Sequence, residues 1–83
     1  MTRSEAIIVL QKIFIETFSI DGSDITDATT SDDIKKWDSL NHIILFKHIE
    51  AEFNVGFALG EMAELLSFGA ITDALMIKLS SDH

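Results

Sequence analysis

The chain has 83 residues, 47% of them apolar, with no proline and no cysteine and a formal charge of -8. So short a chain closes one modest core, so it is read as a single domain over 1–83; the missing cysteines exclude a disulfide framework, a thiolate metal site and a protein thiol nucleophile. The negative charge disfavours nucleic acid and anionic membranes and favours basic protein partners, and no apolar run approaches the roughly 18 residues of a membrane span, so a cytoplasmic monomer is expected.

The first residues, Met1 to Glu5, lead into no signal-peptide pattern. Thr2 with Glu5 three positions on resembles a capping box, and Ala6, Ile7, Leu10, Ile13, Phe14 and Phe18 then recur at helical spacing, which predicts a helix over 3–18. From Ser19 to Trp37 the chain turns to Asp, Thr, Ser and Gly, residues that favour turns. Aspartates stand at 21, 24, 27, 32 and 33, with no base among them, so this connection is expected to be a solvated loop pinned by Ile20, Ile25 and Ile34. Connections of this length in small domains are often functional. Asp38 offers a side-chain oxygen to the free amides of a following helix over 39–53, whose expected apolar face is Ile43, Phe46, Ile49 and Phe53. Asn54-Val55-Gly56 reads as its end. A short third helix is predicted over 60–66, and a fourth from Phe68 or Gly69 to Leu79, with Ile71, Leu75 and Leu79 at steps of four. The expected fold is all-α, a small four-helix bundle with a long first loop and a short third helix.

Where the long loop meets the second helix stands Trp37-Asp38-Ser39-Leu40, and that helix closes on Glu52-Phe53-Asn54-Val55. A serine in the first turn of a helix presents its hydroxyl, and the unpaired amides and positive dipole end beside it suit a phosphate group. Alone, Asp38-Ser39 reads as a plain helix cap. In this setting the region resembles the phosphopantetheine attachment region of acyl carrier proteins, and the likeness extends from the first helix to Ile71-Thr72-Asp73-Ala74-Leu75.

That resemblance implies a carrier and not an enzyme. Ser39 would bear a 4'-phosphopantetheine arm, moved from coenzyme A by a separate phosphopantetheinyl transferase with a magnesium ion, and Asp38 would help position that ion or the transferase. Leu40 and Ile43, read first as core residues, would also border the base of the arm, and the thiol that the polypeptide lacks would come from the arm. Acyl-loading and acyl-processing enzymes are the implied partners, in fatty acid, polyketide or specialised lipid or polysaccharide pathways. The resemblance also implies that an acyl chain can slide between the helices, where Phe46, Ile49, Phe53, Phe57, Met62, Leu65, Leu66 and Phe68 would line a cavity; the same residues equally make a filled core.

Carriers of fatty acid synthesis usually line the second helix with acids. Here Asp38, Glu50 and Glu52 stand against Lys47, a net of -2, and Ile44 occupies a position where the family often has an acid. Trp37 reads as a packing residue at the hinge and secondarily as a partner contact, together with Asn41, Ile44, Leu45, Lys47 and His48, although Ile44 and Leu45 read at least as well as packing on neighbouring helices. His42 and His48, six apart, lie on different helix faces, give no zinc motif and are expected at the surface. Asp21-Gly22-Ser23-Asp24 with Asp27 lacks the ligand pattern of a calcium loop. The other reading left open is an unmodified acidic helical adaptor that binds a basic protein.

Overall fold

Thr2 starts the first helix as its sequence requires: its hydroxyl oxygen accepts from the Glu5 amide at 3.2 Å while the Glu5 carboxylate accepts from the Thr2 amide at 2.8 Å. In the computed structural model, which describes residues 1–22 and 25–80, α1 spans Arg3–Phe18, α2 Ser39–Phe53, α3 Leu59–Glu64 and α4 Phe68–Ser80. Ser23 and Asp24 of the acidic run lie outside the described residues. No strand occurs among the described residues; Thr30 and Ser67 form an isolated antiparallel bridge.

α1 turns Ala6, Leu10, Ile13, Phe14 and Phe18 inward and packs against both α2 and α4. Phe14 is the hub of the interior, with Phe18, Trp37 and Phe68 set edge-on to it at ring distances of 5.5, 5.2 and 5.0 Å. Edge-to-face rings add about 0.5–1.5 kcal/mol each beyond the area they bury. Ile71 and Leu75 of α4 complete this layer. Buried Thr72 satisfies its hydroxyl by donating to the Phe68 carbonyl one turn back, at 2.8 Å.

The long connection is tied down rather than loose. Ile25 and Ile34 are buried and Ile20 packs against the core. The carbonyls of Thr29 and Asp27 accept from the Phe68 and Gly69 amides at 2.8 and 3.0 Å, which satisfies two of the four free donors at the start of α4. Ser67 satisfies another, its hydroxyl accepting from the Ala70 amide at 3.1 Å. The loop crosses so close to Gly69 that a Cβ there would lie 2.7 Å from the Asp27 carbonyl oxygen, so only glycine fits without a shift. α3 is one residue earlier at its start and two shorter at its end than its spacing predicts, because Leu65 leaves helical geometry at φ -92 and ψ 79.

One face differs from its expectation. α2 buries His42, Leu45, Phe46, Ile49 and Phe53, while Ile43 is 47% exposed. Apolar residues at 40, 43, 44, 45, 46 and 49 surround the helix, so spacing alone permits more than one core stripe. Packing on α1 and the hinge selects the stripe that carries Leu45 and His42.

Candidate functional site

Asp38 sits at the N-cap of α2 with extended backbone, and its Oδ1 accepts from the Asn41 amide at 2.8 Å. The Asn41 side-chain amide donates to the Lys36 carbonyl at 2.7 Å, and the Asp38 amide donates to the same oxygen at 3.0 Å. These bonds fix the angle at which the connection enters the helix. Ser39, the first residue of α2, is thereby held exposed in the first turn, beside amides that have no partner within the helix. Leu40, beside it, is 68% exposed.

An open groove of about 430 Å³ begins at this serine. Ser31, Trp37, Asp38, Ser39 and His42 line it from the connection and α2, and Ala63 and Leu66 line it from α3 and the turn after it. The Ser31 amide donates to the Leu66 carbonyl at 3.0 Å, tying the two sides together.

Trp37 is buried, not on a partner surface. Its indole N–H donates to His42 Nδ1 at 2.8 Å. An indole nitrogen can only donate, so Nδ1 accepts and the imidazole proton is on Nε2, which donates to the Met62 carbonyl at 2.6 Å. His42 is therefore not a surface histidine: it is 9% exposed, stacked on Trp37 and edge-on to Phe46 at 4.9 Å. Its buried polar atoms are satisfied by a hinge residue on one side and by α3 on the other, which is the condition for burying them without a large penalty.

Leu45 is fully buried on the stripe that packs inward, which agrees with its reading as a packing residue and removes it from the partner face. Of the other residues expected on the partner face, Ile44 and Lys47 are exposed, Asn41 is half-buried in the hinge bond described above, and His48 is exposed with Nδ1 3.2 Å from the Thr17 hydroxyl. Leu40, Ile43, Ile44 and Lys47, spaced by three or four, make one exposed stripe that starts beside Ser39. His42 is the site residue that sequence reasoning missed. The available signal was Trp37 itself, since a buried indole needs an acceptor within reach.

Of the eight residues that would line an interior cavity, Phe46, Ile49, Phe53, Phe57, Met62 and Phe68 are buried in the core cluster, Leu65 packs on it, and Leu66 borders the groove. α3 buries only Met62 and is held from several sides. Glu61 reaches back to the Ala58 amide at 2.9 Å and accepts from Lys78 Nζ at 3.1 Å; the bond to Ala58 first, and then Lys78, hold its carboxyl below the usual glutamate range. Lys78 Nζ also lies 4.7 Å from the Phe57 ring centre, and the Phe57 amide donates to Glu50 at 2.9 Å. No helix among the described residues is long and apolar enough to cross a membrane.

No protein-family model matches the chain, and no curated protein matches it. Among solved structures, the chain is similar to the solution NMR structure of a holo acyl carrier protein from Geobacter metallireducens, with 33% identity and a TM-score of 0.81 over 93% of each chain.

Proposed function

Since the chain belongs to the acyl carrier protein family, we propose that it carries acyl groups as thioesters on a 4'-phosphopantetheine arm attached to Ser39. The observation that carries this reading is the exposed first-turn hydroxyl of Ser39, held by the Asp38 cap at the head of an open groove. The residues fit such a group. The Ser39 and Leu40 amides, which have no partner within the helix, and the positive end of the helix dipole would suit its phosphodiester, and the groove along Trp37, His42 and Leu66 has the volume of a small-molecule site, on the order of 300–1,000 Å³.

When attached, the arm supplies the thiol that the polypeptide lacks. The chain's own part is to present the nucleophile. A new O–P bond forms at Ser39 Oγ, the bond to the adenosine bisphosphate of coenzyme A breaks, and the serine proton leaves to a base of the transferase. Phosphoryl transfer depends mainly on alignment and charge stabilisation, so the carrier needs a hydroxyl free to enter another protein's site. The phosphopantetheinyl transferase and acyl-handling enzymes would read the exposed stripe of Leu40, Ile43, Ile44 and Lys47. That stripe is apolar with one cation, which favours partners with an apolar docking surface over strongly basic ones and supports a specialised lipid, polyketide or polysaccharide pathway.

Incubation with coenzyme A, magnesium and a broad-range transferase is expected to raise the intact mass by one phosphopantetheine, and Ser39→Ala to abolish the gain with the helical circular dichroism unchanged. An unchanged mass for the folded parent chain would instead favour an unmodified adaptor.

A further inference from the structure

Most of the polar side chains that line the groove beside Ser39 are already engaged. The Trp37 indole N–H and both ring nitrogens of His42 are hydrogen-bonded, and Asp38 caps α2. The Ser31 hydroxyl, in contrast, has no hydrogen-bond partner among the described residues, although its backbone amide is fixed on the Leu66 carbonyl at 3.0 Å. The turn that carries Ser31 is closed from within. The Asp33 carboxylate accepts from the Thr30 amide at 2.9 Å, and the Asp33 amide donates to the Thr30 carbonyl at 3.0 Å. The bridge between Thr30 and Ser67 anchors the same turn to the residue before α4. A half-buried serine with a pinned backbone and an unused hydroxyl thus lines the same groove as the attachment serine.

A 4'-phosphopantetheine arm leaving Ser39 matches this lining in kind. Its hydroxyl and two secondary amides need hydrogen-bond partners where they leave water, and its methyl groups need apolar surface. Ala63 and Leu66 supply the apolar surface; a serine hydroxyl both donates and accepts, so it can satisfy either the N–H or the carbonyl of an amide. From this match we propose that the groove is a resting berth for the arm and that Ser31 is the positioning residue that holds it there, through a hydrogen bond to one of the arm's amides. The proposal rests on the carrier reading and deepens it. Because the turn is fixed before the arm arrives, little ordering cost offsets the bond. One neutral hydrogen bond shifts the equilibrium by a factor of about two to ten, so the berth orders the arm without locking it away from a partner enzyme.

The test uses the full chain, loaded by a broad-range transferase from coenzyme A whose pantetheine amides carry a nitrogen isotope label. Intact mass is read first. A folded parent chain that gains no phosphopantetheine refutes the carrier reading and the berth with it, whereas a loaded chain tests the berth alone. The magnetic resonance shifts of the arm amides are then compared with those of free coenzyme A. In the parent at least one arm amide should be displaced from its free position and show a cross-relaxation contact to the Ser31 side chain. In Ser31→Ala, with the same mass gain and the same helical circular dichroism, the ratio of docked to free arm should fall about two- to tenfold, and Ser31→Thr, which keeps the hydroxyl, should restore it. Arm amides that match free coenzyme A in the parent would overturn the berth. A displacement unchanged in Ser31→Ala, or lost equally in Ser31→Thr, would overturn the role of the hydroxyl. Should Ser31→Ala not fold, the presence or absence of the contact between the arm and Ser31 in the parent decides the proposal.

Discussion

Replacing Asp38 by alanine removes the side-chain oxygen that accepts from the Asn41 amide at 2.8 Å, leaving α2 without its N-terminal cap. Loss of such a cap costs about 1 kcal/mol, and loss of a negative charge at the positive end of the helix dipole about 0.3–1 kcal/mol more. The Asn41 side chain still holds the Lys36 carbonyl, so the hinge keeps one of its anchors and the variant should remain folded. A domain of this size loses roughly 4–8 °C in melting temperature for each kcal/mol, so Asp38→Ala should melt about 5–15 °C below the parent in a circular dichroism scan at low ionic strength. Asp38→Asn divides the effect: asparagine caps as well as aspartate, so the variant should lose only the charge contribution, at most about 1 kcal/mol. Run in parallel, transferase loading should be slower in both variants if the carboxylate helps to present Ser39. An Asp38→Ala melt within about 2 °C of the parent would show that the bond to Asn41 is not stabilising α2, and the account of how Ser39 is held would fail.

The phase of α2 is checked by a pair of truncations: Leu45→Ala, at a fully buried position, should cost about 2–5 kcal/mol in urea unfolding, and Ile44→Ala, beside it but exposed, no more than about 0.5 kcal/mol. Equal costs would mean that the helix is rotated from the orientation described. Gly69→Ala should destabilise by about 1–3 kcal/mol, because its new methyl meets the Asp27 carbonyl oxygen of the tied-down connection; a neutral result would mean that the loop yields freely there. Glu5 and Glu61 are held below their ordinary pKa by bonds from the Thr2 and Ala58 amides respectively. A carboxyl lowered in the folded state stabilises the protein above its unfolded pKa, about 4.3, and loses that contribution as the pH falls through the folded value. Thermal scans below that pH should therefore drop less steeply for Glu5→Gln and Glu61→Gln than for the parent, and identical slopes would count against both caps.

What the sequence disclosed depended on how local the responsible physics is. The Thr2–Glu5 box, the Asp38 cap and the left-handed Asn54, at φ 56, each involve atoms within one helical turn, so α1 and α2 are bounded where the residues predict. The end of α3 and the ties between residues 27–31 and 66–69 depend on backbone groups far apart in sequence, which no spacing rule records. Gly69 is such a case: its need for a missing side chain becomes apparent only when the Asp27 carbonyl is placed against it.

α2 fails for a different reason, and the failure has a functional consequence. A helix with apolar residues nearly all round gives no unique inward stripe, and His42, counted by type as a surface residue, takes an inward place because Trp37 and Met62 satisfy both of its ring nitrogens. The apolar residues thereby displaced outward are Leu40 and Ile43, on the flank that begins at Ser39, with Ile44 and Lys47 continuing the stripe. The inward turn of His42 thus accounts for two features of the site: a buried polar side chain in the lining of the groove and the apolar stripe beside the serine. Both follow from the imidazole being hydrogen-bonded inside, between the Trp37 indole and the Met62 carbonyl, which leaves the outward positions of this flank to Leu40, Ile43 and Ile44.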